Sequence, residues 1–186
     1  MIQLDLIQDI PAPPERAWAV FWERFSDMPM HIAEIDAITP VDERWDGEHR
    51  TLTVHRWQAS PTLIPAMARP FVKPTLICWN GHAEWLHAER TVRFDFRHDR
   101  FEGLYNCTGS FVVDPGEDAD ASRVTIHGEL EIHPERLSGL PRGLARKASG
   151  WVERVLLSAV EPALAALPLA VDRFLEEYPD GELRIA

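Results

Sequence analysis

The sequence predicts an α+β domain with an antiparallel sheet and helices against one face of it. Three observations carry this. From about residue 35 to 133, segments alternate apolar and polar residues with period two and are separated by turn residues. A strand and a helical stripe precede that run, and a long helical stripe follows it. Each alternating segment has one dry face, as antiparallel strands covered on a single side require.

Residues 2–10 place Ile2, Leu4, Leu6 and Ile10 on one face and Gln3, Asp5 and Asp9 on the other, which reads as a half-buried strand. Pro11, Pro13 and Pro14 stop it. Proline is tolerated in a helix's first turn, and Glu15 suits the positive end of the helix dipole. Trp18, Phe21, Trp22 and Phe25 then fall at i, i+3, i+4 and i+7, one apolar helical stripe. A less regular piece through Met28, Met30 and Ile32 leads into the strands.

Trp45-Asp46-Gly47-Glu48 and Trp79-Asn80-Gly81-His82 both read as tight hairpin turns. Val92, Phe94 and Phe96 alternate against Thr91, Arg93, Asp95 and Arg97. Tyr105, Cys107, Phe111 and Val113 share a face, as do Val124, Ile126, Leu130 and Ile132. An acidic loop, Asp114-Pro115-Gly116-Glu117-Asp118, separates the last two strands. Leu144, Ala148, Trp151, Val155 and Ala159 begin the final helix, with Val152 and Leu156 widening its stripe. Pro162 and Pro168 are expected to kink or restart it, and Val171, Phe174, Leu175 and Tyr178 continue the apolar face until Pro179-Asp180-Gly181. Residues 58–74, with Pro61, Pro65, Pro70 and Pro74 among Leu63, Ile64, Met67, Phe71 and Val72, exceed a normal hairpin connection.

The 186 residues suit one domain spanning 1–186. No apolar run reaches the roughly 20 residues that span a bilayer. With 30 acidic and 19 basic residues the chain carries a formal charge of −11, which argues against nucleic acid as a partner. The N-terminus lacks a basic stretch before an apolar core, so no secretory signal is expected and the cytoplasm is the expected location. Cys78 and Cys107 form no disulfide framework or Cys-x-x-Cys pair and read as buried thiols. Asn106-Cys107-Thr108 matches a glycosylation sequon but lies inside a strand pattern.

The run Ile10-Pro11-Ala12-Pro13-Pro14-Glu15-Arg16-Ala17-Trp18 resembles the opening of the START-like superfamily, also called SRPBCC. There an apolar-x-Ala-Pro-x-Glu-x-Val-Trp pattern ends the first strand and starts the first helix. Here a proline is added and Ala17 stands in place of the usual valine. Thr91–Phe96 and Ser122–Ile126 resemble that family's later strands, and the likeness spans about residues 2–178. The family includes polyketide cyclases, pollen allergens and lipid-transfer domains. The resemblance implies a helix-grip fold, a curved sheet wrapped around the C-terminal helix with a cavity between them. It does not imply one chemistry.

Four groups of residues are candidates for function. Trp57, Trp85, His87, Phe94, Phe96, Tyr105, Phe111, Trp151 and Val155 would line an apolar ligand cavity, the usual form of a small-molecule site. The same aromatics could instead fill a core, leaving a domain that acts through its surface. In an enzymatic reading of cyclase or dehydratase type, His87 or Tyr105 would be the acid–base group, because Trp85 is placed inward and His87 shares its strand face. His55, His82 and His98 are further histidines in or beside strands, and the inner face at His55 is ambiguous because Leu52 and Val54 compete with Trp57. His127, Glu129, Glu131 and His133 share a face, but same-face neighbours stand about 7 Å apart along a strand, so at most two could reach one ion. No metal and no cofactor is expected. The 58–74 segment could close the cavity or touch a membrane transiently. Arg142, Arg146 and Lys147 form the one compact basic group, able to grip an anionic head or to sit on a solvated helix face. The tryptophans read as wall material of a single core or cavity.

Overall fold

The computed structural model describes residues 1–64, 77–98, 103–118, 120–133, 136 and 142–178, and for 142–159 the backbone alone. Strand β1 (Ile2–Ile10) is followed by helix α1 (Pro14–Glu23), a short 3-10 helix (Phe25–His31), β2 (Ile35–Trp45) and β3 (Arg50–Ala59). Then come β4 (Cys78–Leu86), β5 (Thr91–His98), β6 (Tyr105–Pro115), β7 (Ser122–Ile132) and helix α2 (Arg142–Glu177). The seven strands form one antiparallel sheet in the order β1-β7-β6-β5-β4-β3-β2, the α+β arrangement that the alternation predicts. Sequential strands from β2 to β7 pair as neighbours, and β1 closes on β7 across most of the chain.

Local chemistry places each element. Pro14 opens α1 where its missing N–H costs nothing, and Trp18 and Phe21 are buried. Phe21 stacks on Phe111 with ring centroids 4.0 Å apart. Trp18, Phe21 and Phe25 all surround Trp85, which is fully buried. This end of the sheet is therefore capped by α1 and the 3-10 helix. The second half of α2 buries Val160, Ala163, Leu164, Leu167, Val171 and Phe174, a helical stripe against the sheet.

The structure differs from the sequence reading at four places. The β2–β3 connection is four residues long; Gly47 takes a positive φ of 89°, and Asp46 N–H donates to Arg50 C=O at 2.9 Å. Asn80-Gly81 is no turn. It lies inside β4, and the reversal comes later at His87–Arg90, with Arg90 in the left-handed region. Neither Pro162 nor Pro168 restarts α2, which is one helix of 36 residues. Burial of the stripe outweighs the roughly 3 kcal/mol that an interior proline costs. Trp45 is no wall of the core; it is 56% exposed on the edge strand.

Candidate functional site

The inner face of the sheet is set by strand register. Trp57 pairs with Trp79, and Trp79 with His98. One row further along lie His55, Gly81, Phe96, Cys107 and Leu130. The next holds Thr53, Ala83, Phe94, Gly109 and Gly128, and the last Thr51, Trp85, Val92, Phe111 and Ile126. The ambiguity at β3 is thus resolved: Thr51, Thr53, His55, Trp57 and Ala59 point inward and are buried. Polar Thr51 and Thr53 can lie inside because each has a partner. Trp85 Nε1 donates to Thr53 Oγ1 at 2.9 Å, and Thr51 Oγ1 bonds His87 Nε2 at 2.9 Å.

Of the predicted lining, Trp57, Trp85, Phe94, Phe96, Tyr105 and Phe111 are all buried on this face. They divide into two groups. Trp85 and Phe111 pack against α1, whereas Trp57, Phe94 and Phe96 form an aromatic wall further along the sheet. Trp57 and Trp79 stack at 5.9 Å, Phe94 and Phe96 at 5.0 Å, and Trp57 leans on Phe96 at 5.3 Å. His98 and Tyr105 meet edge to face at 6.3 Å beyond this wall. Trp151 and Val155 lie on α2, with their side chains outside the described residues, as do those of Arg142, Arg146 and Lys147.

His87 lies on the same side of the sheet as Trp85, since Trp18 and Trp22 touch both, but outside the strand. The strand ends at Leu86, and His87 begins the following 3-10 turn, half-buried. Its ring is stacked on Trp45 at 5.4 Å and meets Trp18 and Trp22 edge-on. Burial lowers its pKa below the ordinary value, with His49 nearby adding to the effect and Glu43 opposing it.

His55 is the residue that sequence reasoning leaves out of the lining, although same-face spacing on β3 joins it to Trp57. It is 8% exposed, and its Nδ1 has no hydrogen-bond partner. Burial depresses its pKa to about 4, so the imidazole is neutral at pH 7. Trp79, 4% exposed, carries an Nε1–H that likewise has no partner. Gly81 makes room for the wall, since a Cβ there would stand 2.7 Å from Trp57 Nε1 and 2.9 Å from Phe96 Cε1.

Between this wall and α2 is a void of about 20 Å3, touching Phe25, His55, Trp57, Phe94, Phe96 and Leu164. That is room for a water molecule, so the interior bounded by these residues is closely packed. A larger concavity of about 500 Å3 lies on the opposite face, lined by Asp42, Arg44, Val54, His82, Glu84 and Arg93. It is open and its charges pair locally: Glu84 meets Arg50 at 2.6 Å and Arg93 at 3.3 Å. The His127–His133 quartet belongs to this outer side. His127 Nδ1 lies 2.7 Å from Asp5, Gln3 donates to Glu129 at 2.9 Å, and Glu131 stands 4.0 Å from His133. Among the described residues no three ligating groups converge on one point.

Of the 58–74 segment, Pro61–Leu63 form a short 3-10 turn and Ile64 is buried, while 65–74 lie outside the described residues. No described helix is long and apolar enough to cross a membrane. Cys78 and Cys107 are free and buried; Cys78 donates to Gln58 Oε1 at 2.6 Å, and burial pushes the Cys107 thiol up to about 12.

No protein-family model matches the chain, and no curated protein matches it in sequence. Solved structures match its fold over nearly its whole length. An aromatase/cyclase from a Streptomyces species superposes with a TM-score of 0.65 at 13% identity, covering 99% of each chain. A protein from Thermus thermophilus reaches 0.57 at 23% identity, covering 91% of this chain and 97% of that one. Norcoclaurine synthase from Thalictrum flavum, solved in complex with dopamine and hydroxybenzaldehyde, reaches 0.59 at 14% identity, covering 95% of this chain and 87% of that one. The fold is the helix grip that the resemblance of the opening motif implies.

Proposed function

We propose that this chain binds a hydrophobic small molecule between the inner face of its sheet and α2. The observation that carries the reading is the aromatic wall of Trp57, Trp79, Phe94 and Phe96, buried on the inner face and touched from the helix side by Phe25, 5.7 Å from Trp57. A core needs only apolar filling. This wall also holds polar atoms of His55 and Trp79 without partners, which a filled core normally avoids. Norcoclaurine synthase, which has the same fold, was solved in complex with dopamine and hydroxybenzaldehyde, and this supports the reading by analogy.

The site is built on β3, β4 and β5, whose cross-strand pairing holds the rings in place. At the α1 end the interior is filled by Trp18, Phe21, Phe25 and Trp85. The ligand's place is therefore over Trp57, Trp79 and Phe96, from His55 toward His98 and Tyr105. Because the adjoining void is only about 20 Å3, rings must move as the ligand enters. Mass spectrometry of the native protein, with solvent extraction, should show a retained apolar compound, and tryptophan fluorescence should respond to added ligands. No retained compound and no response across fatty acids, sterols and aromatics would leave the filled-core reading standing.

A cyclase- or dehydratase-type enzyme in the same site is the second reading. The observation favouring it is a neutral, buried imidazole at His55 on the same sheet face as the Tyr105 phenol. In this reading His87, held by Thr51 among tryptophans, acts as a structural group.

A further inference from the structure

We infer that the wall recognises a flat hydrophobic molecule bearing oxygen, with Trp79 Nε1–H and His55 Nδ1 as its two hydrogen-bonding points. The inference rests on the binding reading above and narrows its ligand class. Trp57 sits between the two groups. His55 is two residues before it on the same face of β3, and Trp79 is its partner across β4. Diagonal neighbours of this kind stand about 7–8 Å apart. Both residues therefore border one aromatic surface, formed by the Trp57–Trp79 stack and Phe96, with Phe25 edge-on to His55 at 4.9 Å.

The chemistry of the two atoms defines the ligand. The indole N–H is a donor only, so its partner must be an acceptor, such as a carbonyl, ether or hydroxyl oxygen. A neutral imidazole nitrogen can accept a hydrogen bond from a hydroxyl or, as N–H, donate one to an oxygen, according to its tautomer. Each residue is more than nine-tenths buried, so water does not satisfy these atoms from bulk. Leaving a buried polar group unpaired costs about 1–3 kcal/mol, and a ligand supplying the partner recovers that. A hydrocarbon of the same shape recovers none. The flanking rings add a preference for a planar ligand, since aromatic faces gain most from flat partners. Gly81 contributes by letting Trp57 and Phe96 close over the strand, which keeps the surface between the two polar atoms continuous.

The test compares 2-naphthol with 2-methylnaphthalene, two compounds of one shape that differ by a hydroxyl, by equilibrium dialysis against the full chain. Trp79→Phe and His55→Phe each remove one polar atom and keep a ring. Each should weaken 2-naphthol about fivefold and leave 2-methylnaphthalene within about twofold of wild type. Equal weakening of both compounds, or of neither, overturns the inference while leaving the binding reading intact. Failure of wild type to hold either compound overturns both. Should a variant not fold, the wild-type protein decides: one indole N–H resonance should move downfield on adding 2-naphthol and stay in place with 2-methylnaphthalene. An indole spectrum indifferent to the hydroxyl sinks the inference.

Discussion

His55 shows how one residue can weaken a fold in a defined pH window. Its folded pKa is about 4, lowered by burial, whereas an unfolded imidazole titrates near 6.5. Between those values the unfolded chain takes up the proton that the folded chain refuses. Stability is therefore full above about pH 6.5 and declines as pH falls toward 4. The loss from this residue should reach roughly 2 kcal/mol by about pH 5. His87 acts in the same direction, since burial also lowers its pKa. Urea unfolding at about pH 7.5 and about pH 5 should thus show a smaller acid-induced loss for His55→Phe than for wild type. An identical loss in both would show that His55 is solvated in the folded state. The orphaned Nδ1 is not legible in the sequence, and the burial is legible only through the same-face spacing of His55 with Trp57. His55 lies among Thr51, Thr53 and Arg56, and polar residues at alternate positions hide which face is dry. The burial of Thr51 and Thr53 depends on partners at His87 and Trp85, which are distant in the chain.

At the scale of elements, the strands with clean alternation are readable: β1, β5, β6 and β7 fall where period two places them. β4 is masked because Asn-Gly is a strong turn signal in isolation. Its glycine serves another purpose, close approach of aromatic rings in mid-strand. Gly81→Ala would push a methyl group against Trp57 Nε1 and Phe96, both parts of buried rings that cannot swing away. A loss of about 2 kcal/mol is expected, the usual range for overpacking a core. Gly109 and Gly128 make a matching pair on β6 and β7, directly opposite each other, with the Phe94 ring end 2.6 Å from a Cβ built on Gly109. That Cβ would also collide with His127 C=O, a backbone atom, so Gly109→Ala should cost more than Gly81→Ala. Thermal melts of the two variants check the order. If Gly81→Ala melts with wild type, the rings over β4 are loosely held and the wall has no fixed shape.

For the whole molecule, the question is how firmly the sheet closes over its interior. Charge helps little: the exposed outer pairs, such as Arg123 with Asp9 and Glu117, belong to a class worth about 0–1 kcal/mol at most sites. Closure comes from burial and from the C-terminal end of α2 meeting α1, where Arg16 donates to Tyr178 C=O at 3.0 Å. Cys107 reports on it. The thiol lies at the centre of the inner face, fully buried, and is held protonated by a pKa of about 12. Reaction with a disulfide reagent therefore requires the sheet to open first. When opening is fast and reversible, the labelling rate is the unfolded rate multiplied by the opening equilibrium constant. A fold of ordinary stability should slow labelling by at least about a thousandfold against the urea-unfolded chain. The Cys78→Ala variant isolates Cys107 for the measurement. A bound ligand at about one hundred times its Kd should slow labelling about another hundredfold, because it holds the closed state by mass action. Labelling within about tenfold of the unfolded rate would instead mean that the aromatic wall is reached without unfolding. Protection unchanged by any hydrophobic compound would count against a ligand between the sheet and α2.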